Sequence, residues 1–369
     1  MLMGCLEGHL PIILGGDVKE FAWEVTNKCN LSCRHCYLSD VGWDPPNALT
    51  KEEGLTLLEE MAKVGPKDIM VVFEGGEPMM SPHIYDYVEY ASRLGMRPVM
   101  TSNGTLIDEE AAKRLKQAGL VGITISIDGA TSEVNDSIRG KGCFDLALEG
   151  LKACRDAGIH WNIAFVVNKY NLHEVPAIIE LAKKLSQRTP RDPITSPPGV
   201  FLFHYIAMGR GRENMPNAEL SREEYLRLLD KVFRYKVQYD GRLWIRPECM
   251  PHYWPYIVSK YGVEFEPDFT ADMIRMCQAG IRHCCVTVNG DVTPCPYVRA
   301  SAGNVRDKGF LEVWRSSELF KKLREPKVYL RPPCSTCQYL EICGGCRGRA
   351  EAWFGDCFER DPSCPWTQG

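Results

Sequence analysis

Three cysteines stand within eight residues near the start of the chain, in the spacing Cys29-x3-Cys33-x2-Cys36. Cysteine thiolates bind zinc and iron–sulfur clusters, and four of them normally complete such a site. Because no fourth cysteine follows nearby, one metal position is left without a local protein ligand. A small molecule can bind directly to a metal at such a position. The spacing therefore predicts a reactive metal centre rather than three unrelated buried thiols.

The C-terminal region is also rich in cysteine, and residues 277–369 hold ten of the 17 in the chain. Their pattern is Cys277-x12-Gly290-x4-Cys295, followed by Cys334-x2-Cys337-x5-Cys343-x2-Cys346-x17-Cys364. By spacing alone, paired Cys-x2-Cys units also suit a zinc ribbon. An odd cysteine total without a secretion signal argues against a disulfide framework and favours a cytoplasmic protein.

The overall composition bears on the partners. The chain has 44 basic and 48 acidic residues, a formal net charge of -4, so it has no global field that attracts nucleic acid or an anionic membrane. No apolar run reaches the ~20 residues that cross a bilayer. We therefore expect neither nucleic acid nor a membrane as a partner.

The elements that must position the cysteines follow from a repeating pattern of apolar and amphipathic segments. Strands are predicted at 21–26, 68–73, 98–101, 121–127, 161–167 and 199–206. Helices are predicted at 51–64, 82–94, 108–118, 144–157, 174–185 and 222–235, and Thr50 and Ser221 each begin a capping-box pattern. Nearly continuous apolar strands suit a parallel sheet covered on both faces. The fold class is α/β, with six βα units in an open sheet or a partial barrel.

Polar and glycine-rich segments follow the predicted strands. The three cysteines come after the first strand and Gly75-Gly76-Glu77-Pro78 after the second, while Asn103 follows the third. Loops at the carboxyl ends of parallel strands carry the active sites of barrel enzymes. This arrangement predicts one active site that includes the cysteines.

Together, the Cys-x3-Cys-x2-Cys loop and the Gly-Gly-Glu-Pro segment resemble the radical S-adenosylmethionine (SAM) superfamily. The resemblance covers residues 20 to about 235 and implies a partial (β/α)6 TIM-like barrel. It implies that Cys29, Cys33 and Cys36 hold three irons of a 4Fe–4S cluster and act in catalysis. The fourth iron would bind S-adenosylmethionine, which the cluster cleaves to a 5′-deoxyadenosyl radical that abstracts hydrogen from the substrate.

The same resemblance implies contacts to S-adenosylmethionine. In this family the Gly-Gly-Glu segment meets the methionine ammonium group, an arginine pairs with the carboxylate, and an aromatic residue after the last cysteine packs near adenine. His35 is expected to be solvated or to support the site rather than to bind metal. The implied cofactor-binding residues are Tyr37, Gly75, Gly76, Glu77, Asn103, Ser126, Asp128 and Arg139.

The C-terminal array resembles the SPASM extension of this superfamily, which carries auxiliary iron–sulfur clusters. Cys343-Gly-Gly-Cys346 departs from the usual last gap of three residues. By resemblance, the second auxiliary cluster is held by Cys334, Cys337, Cys343 and Cys364. The first is held by Cys277, Cys295 and Cys346, with Cys284 expected as the fourth ligand, Cys285 as its alternative and Cys357 as a spare.

These patterns divide the chain into four parts. They are an N-terminal extension (1–20), a radical SAM partial barrel (21–240), a proline-rich bridge (241–276) and a SPASM domain (277–369). The polar, proline-rich segment 186–198 is expected to be an exposed insertion before the sixth strand.

The sequence suggests two substrate classes for an iron–sulfur enzyme of the oxidoreductase type. Tetrapyrrole tailoring in heme-type biosynthesis is favoured by resemblance in three segments, which begin at Arg246, Ala302 and Cys343. The alternative is maturation of a peptide, a protein or a tungsten- or molybdenum-enzyme cofactor. The first strand begins near Phe21, which leaves no room for the leader-binding domain of many peptide-modifying members. A flavodoxin- or ferredoxin-type protein is the expected electron donor. An electron carrier or zinc scaffold would leave Gly-Gly-Glu-Pro unexplained.

Cys249 and His252 form a further candidate site within the segment ECMPHYW. A thiol and an imidazole there could bind the central metal of a tetrapyrrole or assist proton transfer. The alternative, which we weigh equally, is that Cys249 is a small buried residue and His252 a hydrogen-bonded core residue.

Overall fold

The fold is described by a computed structural model that covers residues 19–39, 41–65, 69–186, 197–263 and 277–366. Nearly all of the expected N-terminal extension lies outside these residues. So do most of the expected insertion at 186–198 and the last third of the bridge. Among the described residues, no helix has the length and apolar character needed to span a membrane.

One ten-stranded sheet runs through both predicted domains, in the order β10-β9-β8-β1-β2-β3-β4-β5-β6-β7. Its strands are β1 (Lys19–Thr26), β2 (Ile69–Gly75), β3 (Arg97–Ser102), β4 (Gly122–Ser126), β5 (His160–Val167), β6 (Gly199–His204), β7 (Trp244–Glu248), β8 (His283–Val286), β9 (Asp291–Thr293) and β10 (Gly303–Asn304). Strands β1 to β7 are parallel and adjacent in chain order, and β8 runs parallel to β1 on its other side. The mostly parallel α/β class is confirmed.

The helices pack around this sheet. In chain order they are α1 (Lys51–Ala62), α2 (Ile84–Arg93), α3 (Glu109–Gln117), α4 (Ser132–Arg139), α5 (Cys143–Asp156), α6 (Val175–Ser186), α7 (Gly209–Asn214), α8 (Arg222–Gln238), α9 (Tyr253–Tyr261), α10 (Val305–Lys308), α11 (Phe310–Ser316), α12 (Glu318–Arg324), α13 (Pro326–Tyr329) and α14 (Arg347–Phe354). Both predicted capping boxes form, with the Thr50 hydroxyl accepting from the Glu53 amide and the Ser221 hydroxyl from the Glu224 amide. Apolar residues of β1, including Phe21 and Trp23, are buried in the main core.

The first part of the bridge continues the sheet, which the sequence did not predict. Strand β7 adds a seventh parallel strand, and Pro247 lies opposite Leu202 of β6. A proline is tolerated here because β7 is an edge strand that pairs with one neighbour only. Pro255 sits in the first turn of α9, where its missing N–H has no helical partner to lose. Pro247 and Pro255 therefore occupy positions that a strand and a helix accept.

The sheet is open, because β7 pairs only with β6, but it curves so that β7 approaches β1 and β8. The charges of Arg246 on β7 and His283 on β8 both lower the pKa of Glu20 on β1. The charge of Glu20 in turn raises the pKa of Glu248 at the end of β7, and the charge of His283 lowers it. Polar side chains from three strands, β1, β7 and β8, thus share one interior space, which we call the lumen. A partial barrel with a lumen agrees with the predicted architecture.

Candidate functional site

The loop that carries Cys29, Cys33 and Cys36 leaves the carboxyl end of β1, and all three thiols are half-buried. The Arg34 amide donates to the carbonyl of Ile138 at 2.8 Å. At the other end of the loop, the carbonyl of Cys36 accepts from an amide at the start of α7 at 2.9 Å. These contacts tie the loop to α4 and α7, so the three cysteines are presented by a fixed backbone.

The thiols of this loop lie beside hydrogen-bond donors. The Leu31 amide donates to Sγ of Cys29 at 3.4 Å, and Nη1 of Arg139 lies 3.9 Å from Sγ of Cys33. Burial raises the pKa of Cys29 and raises that of Cys33 to about 12. Metal ligation releases such protons because the thiolate is the ligand. Donors aimed at sulfur are typical of iron–sulfur sites, where they stabilise the charge on the cluster.

No three His, Cys, Asp or Glu side chains among the described residues converge closely enough to hold a single metal ion. Ligands of a 4Fe–4S cluster bind separate irons and stand further apart than the ligands of one ion.

Gly75 and Gly76 allow the end of β2 to lie directly against the start of the cysteine loop. A Cβ atom on Gly75, which has φ +121°, would lie 2.5 Å from the carbonyl oxygen of Thr26. A Cβ on Gly76 would lie 2.2 Å from that of Lys28. The Gly76 and Glu77 amides donate to these two carbonyls at 2.7 Å each. The glycines are therefore required by backbone packing.

The carboxylate of Glu77 is fully buried and joins the ends of β2 and β3. It accepts hydrogen bonds from the Ser102 hydroxyl and the Asn103 amide, both at 2.8 Å, and from the Met79 amide at 3.1 Å. Burial raises its pKa, and these hydrogen bonds oppose that effect. The Asn103 side chain donates to Oδ1 of Asn30 at 2.9 Å, so the third strand end also contacts the cysteine loop.

Asp128, after β4, is at the centre of a buried charged group behind the loop. Its Oδ2 lies 2.6 Å from Nε of Arg139 and 2.8 Å from Nε2 of His35, and its Oδ1 accepts from the Val166 amide at 2.7 Å. Burial alone would raise the pKa of Asp128, but Arg139 and His35 hold it at about 2. The structure thus brings together three residues that the sequence singled out. His35 is buried rather than solvated, and it supports the site.

Tyr37 and Ser126 lie at the edge of this site. The Tyr37 hydroxyl donates to Oε1 of Glu24 at 3.4 Å, and its ring centroid is 5.3 Å from that of Tyr297. The Arg299 guanidinium stands 5.4 Å above the Tyr37 ring. Ser126 is the last residue of β4 and is half-buried. The C-terminal region therefore contributes Tyr297 and Arg299 to the surroundings of the cysteine loop.

The lumen contains acidic residues that the sequence analysis did not select. Arg299 makes two contacts to the Glu24 carboxylate, at 3.0 and 3.2 Å. Burial and the nearby charge of Glu24 raise the pKa of Glu74 to about 8, so this carboxyl is largely protonated at neutral pH. Acidic residues at alternate positions of β1, Glu20 and Glu24, would have been the sequence signal for a polar interior.

Two groups of thiols form in the C-terminal region. Burial and the charges of Cys277 and Cys346 raise the pKa of the Cys295 thiol, which places these three cysteines in one group. In the second group, the charges of Cys334 and Cys364 raise the pKa of the Cys343 thiol. Backbone amides donate to Sγ of predicted ligands in both groups at 3.4 Å, from Tyr339 to Cys337, from Gly345 to Cys343 and from Arg349 to Cys346.

Cys284, Cys285 and Cys357 stand apart from these groups. Cys284 pairs in register with Phe21 inside the hydrophobic core. Burial raises the pKa of its thiol, and the charge of Arg324 opposes this effect. Cys285 donates to the carbonyl of Val286 at 3.7 Å and is acted on by the acids of the lumen. Cys357 is also buried in the core. The structure does not bring the expected fourth ligand Cys284 to Cys277, Cys295 and Cys346.

His252 is a hydrogen-bonded core residue, as the alternative interpretation expected. It is 1% exposed, its Nδ1 lies 3.2 Å from the Tyr225 hydroxyl, and its Nε2 lies 3.7 Å from Oδ2 of Asp361. Burial lowers its pKa to about 4, so it is neutral at pH 7. Both ring nitrogens therefore face protein groups.

Comparison with known proteins agrees with this geometry. The Radical SAM superfamily matches residues 23–182, and an iron–sulfur cluster-binding domain, SPASM, matches residues 277–338. The AdoMet-dependent heme synthase of Methanosarcina barkeri is 34% identical, over 94% of this chain and 96% of its own length. The Fe-coproporphyrin III synthase of the same organism is 35% identical, over 94% and 87%.

More distant proteins share the same fold. The mycofactocin maturase MftC of Mycobacterium tuberculosis is 31% identical, over 88% of this chain and 77% of its own length. Streptococcus suis SuiB, solved with S-adenosylmethionine, superposes with a TM-score of 0.71 at 19% identity, covering 94% of this chain and 77% of SuiB. The chain therefore belongs to the radical SAM superfamily, whose enzymes use a 4Fe–4S cluster and S-adenosylmethionine, and it carries an iron–sulfur cluster-binding SPASM domain.

Proposed function

We propose that this enzyme tailors the side chains of a tetrapyrrole in heme-type biosynthesis. One observation carries the proposal: its similarity to a heme synthase and to an Fe-coproporphyrin III synthase extends over 94% of the chain. The similarity includes the lumen strands and the C-terminal region as well as the cysteine loop. Since the two identities differ by only one percentage point, they support the tetrapyrrole class and not one particular member of it.

We assign Cys29, Cys33 and Cys36 as ligands of the reactive cluster, which with bound S-adenosylmethionine supplies a 5′-deoxyadenosyl radical for hydrogen abstraction. Their loop is held by backbone hydrogen bonds to α4 and α7. The buried Asp128 holds the Arg139 guanidinium beside Cys33, where it can also meet the methionine carboxylate. The half-buried thiols leave access for a small molecule at the open side.

We assign the remaining cofactor contacts to the strand ends around that loop. Gly75, Gly76 and Glu77 supply backbone groups for the methionine ammonium, and Asn103 and Ser126 stand at the ends of the next strands. Tyr37, with Tyr297 packed against it, provides an aromatic surface for adenine. All of these residues lie at the carboxyl edge of the sheet, where barrel enzymes place their sites.

Two features of the lumen support a substrate with carboxylate side chains. Arg299 and Arg246 bring guanidinium groups into it, where they pair with Glu24 and Glu248, and a guanidinium can also bind the carboxylate of a substrate. Glu74 is neutral at pH 7, and its Oε1 is buried with no hydrogen-bond partner among the described residues. A protonated carboxyl group can donate a hydrogen bond to a substrate carboxylate instead of repelling it.

A second candidate function is the maturation of a peptide or protein. It is favoured by the 31% identity to a mycofactocin maturase over 88% of this chain. For either function, we propose that the enzyme works in the cytoplasm and receives electrons from a flavodoxin- or ferredoxin-type protein.

The test is an anaerobic assay of the reconstituted protein with S-adenosylmethionine, a reductant and iron-coproporphyrin III. We expect a Soret shift on titration, 5′-deoxyadenosine release that rises with the porphyrin, and a porphyrin product of lower mass. A matched series with metal-free and side-chain-esterified porphyrins tests the need for the metal and the carboxylates. Cleavage of S-adenosylmethionine without a Soret change or product for any porphyrin would remove the tetrapyrrole assignment and favour the maturase.

A further inference from the structure

We propose that Cys249, from the end of β7, is the fourth protein ligand of the first auxiliary cluster, together with Cys277, Cys295 and Cys346. The inference rests on the assignment of those three cysteines to one cluster. It is independent of the substrate, because it concerns only which thiols hold iron. It replaces Cys284, the ligand expected from the sequence, with a residue of the barrel.

The first observation is the position of the Cys249 thiol. It forms a hydrogen bond with the thiol of Cys346. Cys346 in turn is the neighbour whose charge acts on both Cys277 and Cys295. Four thiols from three separate parts of the chain, one of them buried and three half-buried, therefore meet at one place. Four cysteine thiolates are the usual ligand set of a 4Fe–4S cluster.

The second observation is the backbone of Cys249, which has φ 53°. It is the only non-glycine residue with a positive φ within the part of the chain that the structure describes. This left-handed region is unfavourable for an L-residue, and glycine is its usual occupant. Such a conformation persists where surrounding contacts hold it, and it is a frequent mark of functional sites. Here it directs the Cys249 side chain to Cys346.

The third observation is the contact that holds this backbone. Nη2 of the fully buried Arg349 donates to the carbonyl of Cys249 at 3.1 Å, and the Arg349 amide donates to Sγ of Cys346 at 3.4 Å. Arg349 is paired with Asp361 at 3.2 Å, and Asp361 accepts from the Cys346 amide at 2.7 Å. One buried ion pair thus fixes both Cys249 and Cys346.

The fourth observation is an excess of buried positive charge. Arg347 is 3% exposed, and its described hydrogen bonds go to the neutral carbonyls of Gly345, Cys357 and Glu359. Its Nη2 is buried and has no hydrogen-bond partner among the described residues, and its charge acts on Cys277. A buried cation without a carboxylate partner is costly unless an anion lies nearby. A cluster with four thiolate ligands is such an anion.

Full-length protein reconstituted under anaerobic conditions tests this assignment without any porphyrin. Iron and sulfide per chain are measured, together with Mössbauer and reduced-state EPR spectra, for Cys249→Ala, Cys249→Ser, Cys284→Ala and Cys154→Ala. Cys154 is the matched control, because it is a fully buried thiol in the core near none of these groups. Circular dichroism confirms that each variant is folded.

We expect about twelve irons per chain in the unmodified protein, from three 4Fe–4S clusters. Cys249→Ala should lose up to a third of this iron or show a three-iron EPR signal, while Cys284→Ala and Cys154→Ala keep it all. Cys249→Ser should retain iron with altered EPR g-values, since an alkoxide replaces a thiolate. Full iron and unchanged spectra in both Cys249 variants would overturn the proposal, as would loss of a cluster in Cys284→Ala. A failed porphyrin assay would leave these results untouched.

Discussion

The two cysteine regions are supported by the same kind of buried charged group. Behind the cysteine loop, Asp128 contacts Arg139 and His35. In the C-terminal region, Asp361 contacts Arg349 and His252. In both cases burial would raise the pKa of the carboxyl, and the adjacent arginine is the main cause that holds it at about 2 instead. Each group therefore keeps a positive charge beside thiols in a poorly solvated environment.

The regions differ in how many thiols they bring together. The cysteine loop offers three half-buried thiols, and Arg139 points a donor at Cys33. In the C-terminal region, Cys346 is buried, and Nη2 of Arg349 donates to the carbonyl of Cys249, which directly follows β7. An open position suits a site that binds S-adenosylmethionine, whereas four thiols suit a cluster that exchanges electrons only. Under the proposed ligand assignments, the same kind of buried ion pair supports two kinds of site.

Removing the open site should have the largest effect. The triple variant Cys29→Ala/Cys33→Ala/Cys36→Ala should lose S-adenosylmethionine cleavage by at least about 10³-fold, because the ligands of the reactive cluster are gone. It should retain about two thirds of the iron, held by the C-terminal region. Anaerobic iron analysis and 5′-deoxyadenosine assays check both numbers. Release of 5′-deoxyadenosine at the normal rate would show that the reactive cluster lies elsewhere.

Breaking the ion pair of the C-terminal region should come next. Arg349→Met leaves Asp361 buried and unpaired, which typically costs about 3–5 kcal/mol of unfolding free energy. The matched control is Arg331→Met, since Arg331 forms an exposed pair with Asp356 at 3.0 Å and should contribute less than about 1 kcal/mol. Denaturant unfolding followed by circular dichroism measures both. Equal losses in the two variants would contradict the supporting role of Arg349.

Neutralising the carboxylate behind the cysteine loop should affect the cofactor selectively. Asp128→Asn removes the charge that orients Arg139, so we expect the KM for S-adenosylmethionine to rise about 10-fold, equivalent to roughly 1.4 kcal/mol. Auxiliary iron should not change. The control is Asp145→Asn, an exposed position on α5. If Asp128→Asn bound S-adenosylmethionine normally, or if it lost auxiliary iron, Asp128 would not be a residue that supports the cysteine loop alone.

The smallest expected effect concerns Glu74 and pH. Its pKa of about 8 lies above the ordinary 4.5, so the folded protein binds more protons than the unfolded chain between these values. Stability conferred by the protonated form is therefore lost as pH rises through that window. Glu74→Gln should remove this loss and raise the Tm by about 2 °C more at pH 8.5 than at pH 6.

Thermal unfolding at the two pH values measures the effect, with the exposed Glu149→Gln as control. The same Tm change at both pH values in Glu74→Gln would mean that Glu74 is ionised throughout, and the lumen would then be more anionic than proposed.

Much of the fold and of the open site could be predicted because the signals are local. Six strands and six helices follow from apolar periodicity and two capping boxes. Cys29, Cys33 and Cys36 lie within eight residues, so their spacing alone predicts a shared metal. Strand β7 was not predicted, because prolines suggested irregular structure and a sequence pattern does not distinguish an edge strand from an irregular segment.

The C-terminal ligand set could be predicted only in part. Cys277, Cys295 and Cys346 follow the family pattern, but adjacent residues such as Cys284 and Cys285 cannot be told apart by spacing. The structure separates them because neighbouring side chains on a strand point to opposite faces, one into the core and one toward the lumen. The same alternation explains why Glu20 and Glu24 share the lumen.

By itself, the sequence determined the α/β class, the cysteine loop and the presence of a second cysteine-rich region, since each depends on residues close together in the chain. Only the tertiary structure decided that β8 joins the sheet beside β1 and that Cys249 meets Cys346. It also decided that Arg349 and Asp361 are buried together. The physical reason is that such contacts join distant segments through curvature of the sheet and burial of charge, neither of which leaves a local pattern in sequence.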